Sequence, residues 1–348
     1  MSRHRRPSLG QGLDYVPGEQ PPDDVSWIKL NTNESPLPPS PRCAAAVAEA
    51  VASLRRYPHP DGEPLRSALA AHHGVAPEQV VLGNGADQIL EACFRAFADP
   101  GDRVVLTRPT YSLLPQLARL GGVEVEAVAL GPDGALPEGL AAVPGVMRIL
   151  CNPNSPTGSW VPPEAVEERL GTSESVVVID EAYCDFAPAS CVPLLGRHDG
   201  WLVVRTFAKS RALAGLRVGY ALGQADVVAD VAAVLESYPV DRLAIAAAHA
   251  ALADADHHRR IVELVVVERE RLSAALRGAG WEVAPSHANF VLARPPGGDA
   301  AGVAAELRQE HILVRHFRDG MHDDRLRITV GTPEENSTLL RALGAEPR

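Results

Sequence analysis

The chain has 348 residues, and 33 lysines and arginines against 44 aspartates and glutamates give it a net charge of -11. This length suits about two domains with a sizeable core. A balance so acidic argues against nucleic acid or an anionic membrane as the main partner. No apolar run is long enough to span a bilayer, and the five cysteines are scattered without a C-x-x-C pair. We therefore predict a globular cytoplasmic protein with reduced thiols.

The N-terminal segment is rich in proline and has no apolar stretch of signal-peptide type. We predict that the protein is not exported. We also predict that residues 1–40 run along the surface and join a smaller C-terminal domain.

From about residue 80, short β-branched runs alternate with helical patterns, which is typical of a doubly wound, mostly parallel sheet. The predicted strands are 80–82, 103–107, 123–130, 148–151, 175–180, 201–207 and 217–222. Runs such as VVVI are apolar at every position, so both faces of the sheet are covered by helices. These elements predict a large α/β domain over residues 41–235.

The pattern changes after Leu222 to long alanine-rich helices over 242–253 and 257–278. A second alternating region then predicts strands within 281–294, 312–317 and 326–331, a helix over 299–310 and a last helix after Pro333. We predict a smaller α/β domain over residues 236–348.

Two pairs of adjacent histidines could suggest a metal site, namely His72 with His73 and His257 with His258. Adjacent residues on a helix point in different directions and cannot easily share a metal. We expect both pairs on solvated helix surfaces, and we predict no metal site.

Ligands of open α/β sheets bind outside the carboxyl ends of the strands, so the residues that follow each run deserve inspection. The first strand leads through GNGADQIL into a helix, whose first amides near Gly85, Ala86 and Asp87 could bind a phosphate. The second strand is followed by RPTYS, which places Tyr111 either against a ligand or in the core.

The fourth strand is followed by CNPNSPTG, a segment of turn formers that carries Asn152, Asn154 and Ser155. The fifth strand ends in Asp180, a carboxylate that is costly to bury without a cationic partner.

The sixth strand is followed by Lys209, one of only two lysines in a chain that otherwise uses arginine. Arginine stays protonated, whereas a buried lysine can lose its proton and become a nucleophile for Schiff-base formation. Together with Asp180, Tyr111, Arg217 and the phosphate-binding turn, this lysine fits one cofactor, pyridoxal 5'-phosphate.

A competing interpretation is the magnesium-binding strand of a nucleotide hydrolase, because VVVI followed by Asp-Glu also occurs there. That class requires G-x-x-x-x-G-K-[ST]. Neither Lys29 nor Lys209 follows a glycine, so its phosphate-binding loop is missing from the sequence.

Motifs along nearly the whole chain strengthen the cofactor assignment. They are DYVPGEQ, LNTNESPLPPSP, RYPHPDGEPLR, LGNGADQIL, RPTYS, NPNSPTG, VVIDEAY, LAGLRVGY, SHANFVL, ILVR and LRITVGTPEEN. In these motifs the chain resembles the histidinol-phosphate aminotransferase family of fold-type I pyridoxal-phosphate enzymes. The resemblance implies a seven-stranded, mostly parallel sheet between helices, a smaller α/β domain and transfer of an amino group.

The resemblance also implies roles for single residues. Lys209 is expected to form the Schiff base with the cofactor and to move the substrate proton. Asp180 is expected to keep the ring nitrogen protonated, and Tyr183 to hydrogen-bond the phenolic oxygen of the ring. The remaining cofactor contacts implied are Tyr111 on the ring, and Gly85, Ala86, Asp87, Thr206 and Arg217 at the phosphate.

Tyr57 matches the tyrosine that a partner subunit contributes, which implies a homodimer with shared active sites. Arg327 and Arg315 match the arginines that receive the acidic end of the substrate. Tyr15 lies where the family closes an N-terminal segment over the pocket.

This chain departs from the family pattern at two positions. Ser155 stands where the family has an asparagine that donates to the phenolic oxygen, so either Asn154 takes over or the basicity of the site changes. Ala208 replaces a serine that binds phosphate, and one lost hydrogen bond to a charged group costs about 1.5–3 kcal/mol.

The expected reaction converts histidinol phosphate and 2-oxoglutarate into imidazole acetol phosphate and glutamate. Three alternatives stay open from the sequence. They are an aminotransferase for another amino acid, a pyridoxal-phosphate decarboxylase of a phosphorylated amino acid, and a non-catalytic binding module.

Overall fold

The computed structural model of the protein describes residues 4, 17–22, 26–318 and 320–345. Within them the strands are β1 (Ile28–Leu30), β2 (Val80–Asn84), β3 (Arg103–Arg108), β4 (Glu124–Ala129), β5 (Met147–Cys151), β6 (Val176–Asp180), β7 (Trp201–Thr206), β8 (Val218–Gly223), β9 (Glu282–Val283), β10 (Phe290–Arg294), β11 (Ile312–His316) and β12 (Leu326–Thr329). The α-helices are α1 (Pro41–Val51), α2 (Leu65–His73), α3 (Gly85–Phe97), α4 (Leu113–Gly121), α5 (Pro163–Leu170), α6 (Ala225–Ala233), α7 (Arg242–Leu252), α8 (Ala255–Gly278), α9 (Ala300–Gln309) and α10 (Pro333–Ala342).

The large sheet has seven strands in the order β2-β8-β7-β6-β5-β3-β4. The five strands from β7 to β4 run parallel, whereas β8 is antiparallel to both of its neighbours. The predicted seven-stranded, mostly parallel sheet is therefore confirmed.

Strand β6 shows why only the carboxyl edge of this sheet can carry chemistry. Val177, Val178 and Ile179 are fully buried. Val177 and Ile179 belong to the hydrophobic cluster on one face and Val178 to the cluster on the other, as the two-residue period of a strand requires. The first polar side chain of this strand is therefore at its carboxyl end, where Asp180 lies.

The small sheet has the order β1-β11-β12-β10-β9 and forms the predicted smaller α/β region. Strand β1 pairs in parallel with β11, so the N-terminal segment supplies an edge strand, and the other pairs are antiparallel. Its core includes Leu272 and Leu276 of α8 and Leu339 and Leu340 of α10.

The division of the chain at residues 40 and 235 stays a prediction. Helix α7 lies after residue 235, yet its Ala244 and Ala247 belong to the same hydrophobic cluster as Cys43 of α1. The Sγ atom of Cys43 lies 3.4 Å from the carbonyl oxygen of Ala247. This packing favours a boundary between α7 and α8.

One histidine of each pair has a hydrogen-bond partner on another element. The Nε2 atom of His73 lies 3.0 Å from the hydroxyl of Tyr220, and that of His258 lies 3.3 Å from a carboxylate oxygen of Asp185. Burial lowers the pKa of His73 to about 3. The prediction of solvated surfaces is wrong for these two histidines, because each has a partner on another element.

The described residues contain neither a metal-ligand cluster nor a membrane-spanning helix. No three His, Cys, Asp or Glu side chains in this part of the chain are grouped as a metal site. No helix there has the length and apolar character needed to cross a bilayer.

Gly219 on β8 offers a test of the packing between β8 and the turn from β2 into α3. A Cβ atom at this position would lie 2.3 Å from the backbone nitrogen of Ala86. We expect Gly219→Ala to lower the melting temperature, because such overpacking typically costs about 1–3 kcal/mol. Gly215→Ala is the matched control, since no atom lies within 4 Å of its added Cβ. Equal melting temperatures for the two variants would contradict this account.

Candidate active site

A cavity of about 840 Å³ lies at the carboxyl edge of the large sheet, between it and the small sheet. The predicted site residues that line it are Ala86, Asp87, Tyr111, Ser155, Asp180, Tyr183, Thr206, Lys209, Arg217, Arg315 and Arg327. The strand ends thus bring together residues that are spread over more than 240 positions of the sequence.

Lys209 follows β7 and is half-buried in the cavity wall. Its Nζ atom donates to the carbonyl oxygen of Thr32 at 3.3 Å and lies 5.5 Å from the centre of the Tyr183 ring. Desolvation, reinforced by the positive charge of Arg327, lowers the pKa of Lys209 to about 8. The amine is therefore much more available as a nucleophile than an exposed lysine.

Asp180 ends β6 and is only 5% exposed. Its Oδ1 atom accepts a hydrogen bond from the Ala182 amide at 3.0 Å, and the Cys151 Sγ atom lies 3.7 Å from Oδ2. No cationic side chain of the described residues forms an ion pair with it. Because burial disfavours the ionised form, the pKa of Asp180 is raised to about 6.

The phenol of Tyr183 is oriented by the N-terminal segment. Its oxygen accepts a hydrogen bond from the Nδ2 atom of Asn33 at 2.9 Å, and its ring packs edge-on against Phe290 at 5.1 Å. Burial raises the pKa of Tyr183, so the phenol keeps its proton. Since the oxygen already accepts from Asn33, the phenolic proton is the part left to donate.

The start of α3 forms a second polar corner of the cavity. Asn84, which precedes the helix, gives no side-chain hydrogen bond to the first turn. Asp87 accepts hydrogen bonds from the Tyr111 hydroxyl at 3.2 Å and from the Arg217 guanidinium at 2.7 Å. Gly85 has a φ of 79°, and a Cβ there would lie 2.6 Å from Nη2 of Arg217. Amides without a capping side chain beside an arginine make a suitable anion site.

Thr206 and Ala208 flank the same corner. The hydroxyl of Thr206 donates to the Val218 carbonyl at 3.2 Å and accepts from the Ala208 amide at 3.1 Å. A hydroxyl has one proton, so Thr206 can donate to an anion only by giving up the bond to Val218.

The opposite wall carries two arginines of the small sheet. Arg327 donates to the Ser155 hydroxyl at 3.2 Å and to the Asn31 carbonyl at 3.1 Å. Arg315 donates to the Pro17 carbonyl at 3.2 Å. The contact from Ser155 to Arg327 ties the turn after β5 to the far side of the cavity.

Gly85 directly precedes the lining residues Ala86 and Asp87 but does not line the cavity itself, and three other predicted residues are placed elsewhere or lie outside the described residues. The side chain of Asn154 donates to the Pro109 carbonyl and accepts from the Thr157 hydroxyl, both at 2.9 Å, and it does not line the cavity. Tyr57 is 76% exposed and does not line the cavity of this chain. Tyr15 lies outside the described residues.

Several residues of the cavity wall were not predicted from the sequence, including Asn31, Thr32, Asn33, Arg108 and Phe317. The first three belong to the LNTNESP motif, whose run of polar residues after an apolar strand was the available signal. Arg108 and Phe317 carry no local pattern, because their positions depend on the docking of the two sheets.

A lysine of lowered pKa, a buried carboxylate and an anion corner at the edge of an open α/β sheet define a site for Schiff-base chemistry. The family model "Aminotransferase class I and II" matches residues 25–343, and the chain belongs to this family.

Known proteins resemble the chain over nearly its full length. It is 45% identical over 348 residues to "Histidinol-phosphate aminotransferase 1" of Pseudomonas aeruginosa strain PAO1 and 46% identical over 349 residues to the protein of that name in Bradyrhizobium diazoefficiens strain USDA 110, with 99% of every chain covered. The crystal structure of histidinol-phosphate aminotransferase from Sinorhizobium meliloti in complex with pyridoxal-5'-phosphate has a TM-score of 0.84 at 27% identity, covering 91% of this chain and 89% of that one. The family resemblance and the fold class predicted from the sequence are confirmed.

The lowered pKa of Lys209 predicts a pH dependence for its labelling without cofactor. A small aldehyde followed by borohydride labels only unprotonated amines, so the labelling rate should rise with pH and reach half its maximum near pH 8. Mass spectrometry of the digested protein measures it, with Lys29 as the internal reference for the reagent. A midpoint at about pH 10, typical of an exposed lysine, would contradict the burial argument.

Proposed function

We propose that the protein is a pyridoxal-5'-phosphate-dependent histidinol-phosphate aminotransferase that passes the amino group of histidinol phosphate to 2-oxoglutarate. The observation that carries the chemistry is Lys209, an amine of lowered pKa that shares a cavity with the unpaired carboxylate of Asp180. The substrate comes from the names of the relatives, each at about 45% identity.

The residues fit the cofactor. When bound, pyridoxal 5'-phosphate supplies an aldehyde that condenses with amines and a protonated ring that withdraws electrons. Asp180 is buried without a cationic partner among the described residues, so a protonated ring nitrogen would supply the cation it lacks. That pairing would return the pKa of Asp180 to a value at which the carboxylate stays ionised.

The phosphate of the cofactor would be held at the start of α3. The backbone amides of Ala86 and Asp87 and the guanidinium of Arg217 are the donors suited to it. The carboxylate of Asp87 cannot bind an anion itself, and its hydrogen bonds to Tyr111 and Arg217 instead orient these two side chains.

Lys209 and Tyr183 divide the remaining work on the reacting side. Lys209 would take the proton from the substrate carbon and return it, a task suited to an amine whose pKa lies near 8. Tyr183, whose oxygen is fixed by Asn33, would donate its proton to the phenolic oxygen of the ring.

The acidic end of the substrate would be bound by Arg327 and Arg315, since guanidinium groups form bidentate contacts with phosphate and carboxylate. Ser155 supports this role through its hydrogen bond to Arg327. A changed environment of the phenolic oxygen is the alternative we favour, because Ser155 lines the cavity and Asn154 does not.

We also propose that two copies of the chain form a homodimer in the cytoplasm and share their active sites. Tyr57 is 76% exposed and stacks on Tyr238 at 4.6 Å, and Val51 and Leu54, which shortly precede it in the chain, are exposed as well. Such an apolar surface around an aromatic pair is suited to burial against a second copy. Tyr57 would then reach the cofactor of the partner.

The function is tested with the half-reaction of Lys209→Ala. Wild-type protein loaded with cofactor should lose its visible absorption on mixing with histidinol phosphate. In Lys209→Ala the rate of this loss should be at least about 10⁴-fold lower, as is typical when a nucleophile and base is removed. Lys29→Ala, the matched control at the other lysine, should keep the wild-type rate, because Lys29 only pairs with Glu34 at 2.6 Å.

A Lys209→Ala variant that reacts at the wild-type rate would contradict the chemistry. If the wild type reacts with another amino acid and not with histidinol phosphate, the substrate assignment fails while the aminotransferase chemistry stands.

The shared active site is tested by mixing two inactive variants, Tyr57→Ala and Lys209→Ala. In a hybrid dimer, one site would combine the intact Lys209 of one subunit with the intact Tyr57 of the other. Random mixing should therefore restore about one quarter of the wild-type activity. No gain in activity on mixing, with exchange of subunits verified by native mass spectrometry, would show that Tyr57 does not act across an interface.

A further inference from the structure

Arg108 is a cation of the cavity wall that has no role in the proposed binding of cofactor or substrate. It ends β3, directly before the turn that carries Tyr111, and lines the same cavity as Arg315 and Arg327. Unlike those two residues, it belongs to the large sheet. Its guanidinium therefore approaches the cavity from the opposite side.

The contacts of Arg108 leave its charge uncompensated within the described residues. Its Nε atom lies 3.1 Å from the Sδ atom of Met321, a weak acceptor, and no carboxylate of the described chain pairs with it. The two Nη groups of Arg108 form no hydrogen bond with the described residues. In other arginines these groups make the fork-shaped contacts that recognise phosphate and carboxylate.

Each of the three arginines contacts a residue of the loop between β11 and β12. The guanidinium carbons of Arg315 and Arg327 lie 5.5 and 5.4 Å from the centre of the Phe317 ring. Met321, which contacts Arg108, is four residues farther along the same loop. Arg108 therefore lines the same cavity as the other two arginines and contacts the same loop.

The charges that line the cavity exceed what the cofactor needs. Among the described residues that line it, Lys209 and four arginines face two carboxylates, Asp87 and Asp180. Arg217 is assigned to the cofactor phosphate, and Arg315 and Arg327 to the acidic end of the substrate, so Arg108 is the arginine of this group that has no role yet. Three guanidinium groups suit a phosphate dianion better than a single carboxylate.

We propose that Arg108 is a third anion-binding residue, which makes the site prefer substrates that end in a phosphate over substrates that end in a carboxylate. The proposal rests on the proposed function, because it names the group of the amino donor that this end of the same site receives. Arg108 contacts the substrate and takes no part in holding the cofactor.

The test compares Arg108→Gln with Arg103→Gln. Arg103 begins the same strand, is exposed and pairs with Glu124 and Glu126 on the surface, so it is a matched control. Single-turnover half-reactions of the holoenzymes give an apparent Kd for histidinol phosphate, for histidinol without the phosphate, and for glutamate.

We expect Arg108→Gln to raise the apparent Kd for histidinol phosphate about ten-fold or more, as for a lost hydrogen bond to a charged group. The apparent Kd for histidinol should change less than about two-fold. The apparent Kd for glutamate should rise less than the apparent Kd for histidinol phosphate. Arg103→Gln should leave all three at wild-type values. Equal weakening of histidinol and histidinol phosphate, or no change for either, would overturn the proposal.

A second measurement separates this proposal from the proposed function. Inorganic phosphate is tested as an inhibitor of the glutamate half-reaction, with the visible absorption of bound cofactor showing that none is displaced. If the wild type does not react with histidinol phosphate, the proposed function is wrong. The role of Arg108 is still supported in that case if phosphate inhibits Arg108→Gln more weakly than Arg103→Gln. Identical inhibition of the two variants, or none in the wild type, overturns it.

Discussion

Among the described residues a carboxylate and an amine share one cavity without forming an ion pair, and the chemistry of the site depends on this separation. Burial raises the pKa of Asp180 to about 6 and lowers that of Lys209 to about 8. A direct ion pair would stabilise the protonated lysine and remove its nucleophilic character. The sheet keeps the two groups apart, because Asp180 is held opposite Val204 by the strand ladder, whereas Lys209 lies in the turn beyond β7.

A buried ionic cluster holds the segments on either side of these two residues. Arg205, which precedes Thr206, pairs with Asp185 and lies 3.8 Å from Glu181, the neighbour of Asp180. Ser210, the neighbour of Lys209, donates to the same Asp185. Although burial acts to raise the pKa of Asp185, its partners hold it below its ordinary range. Removing one member of such a cluster is costly because the remaining charge is left buried and unpaired.

The backbone is strained at two polar residues of the cavity wall and at one alanine shortly after Lys209. Asn33, Ala212 and Arg217 have φ values of 55°, 58° and 52°, in the left-handed region that disfavours residues with a Cβ. Such conformations cost of order 1–3 kcal/mol each and persist where surrounding contacts over-determine them. For Asn33 and Arg217 these contacts are the hydrogen bonds to Tyr183 and Asp87.

The sequence predicted the strands of the large sheet well, because runs such as VVVID are apolar on both faces and end in a polar residue. It could not place the side chain of Asn154, since that depends on Pro109 and Thr157, which fold against the same turn and form hydrogen bonds with its Nδ2 and Oδ1 atoms. The contact from Asn33 to Tyr183 joins residues 150 positions apart, and no local pattern encodes it. Hydrophobic periodicity likewise cannot predict contacts that form only when the two sheets dock, such as the contact between Arg108 and Met321.

The division of labour between arginine and lysine links binding to chemistry. Arginine keeps its charge when buried, so Arg327 can bind an anion and at the same time lower the pKa of Lys209 through repulsion. An anion at Arg327 offsets part of that repulsion and makes the amine a stronger base. The strengthening occurs only when the acidic end of a substrate is in place. A second arginine in the position of Lys209 could not respond in this way, because its proton is not lost at any pH at which the fold survives.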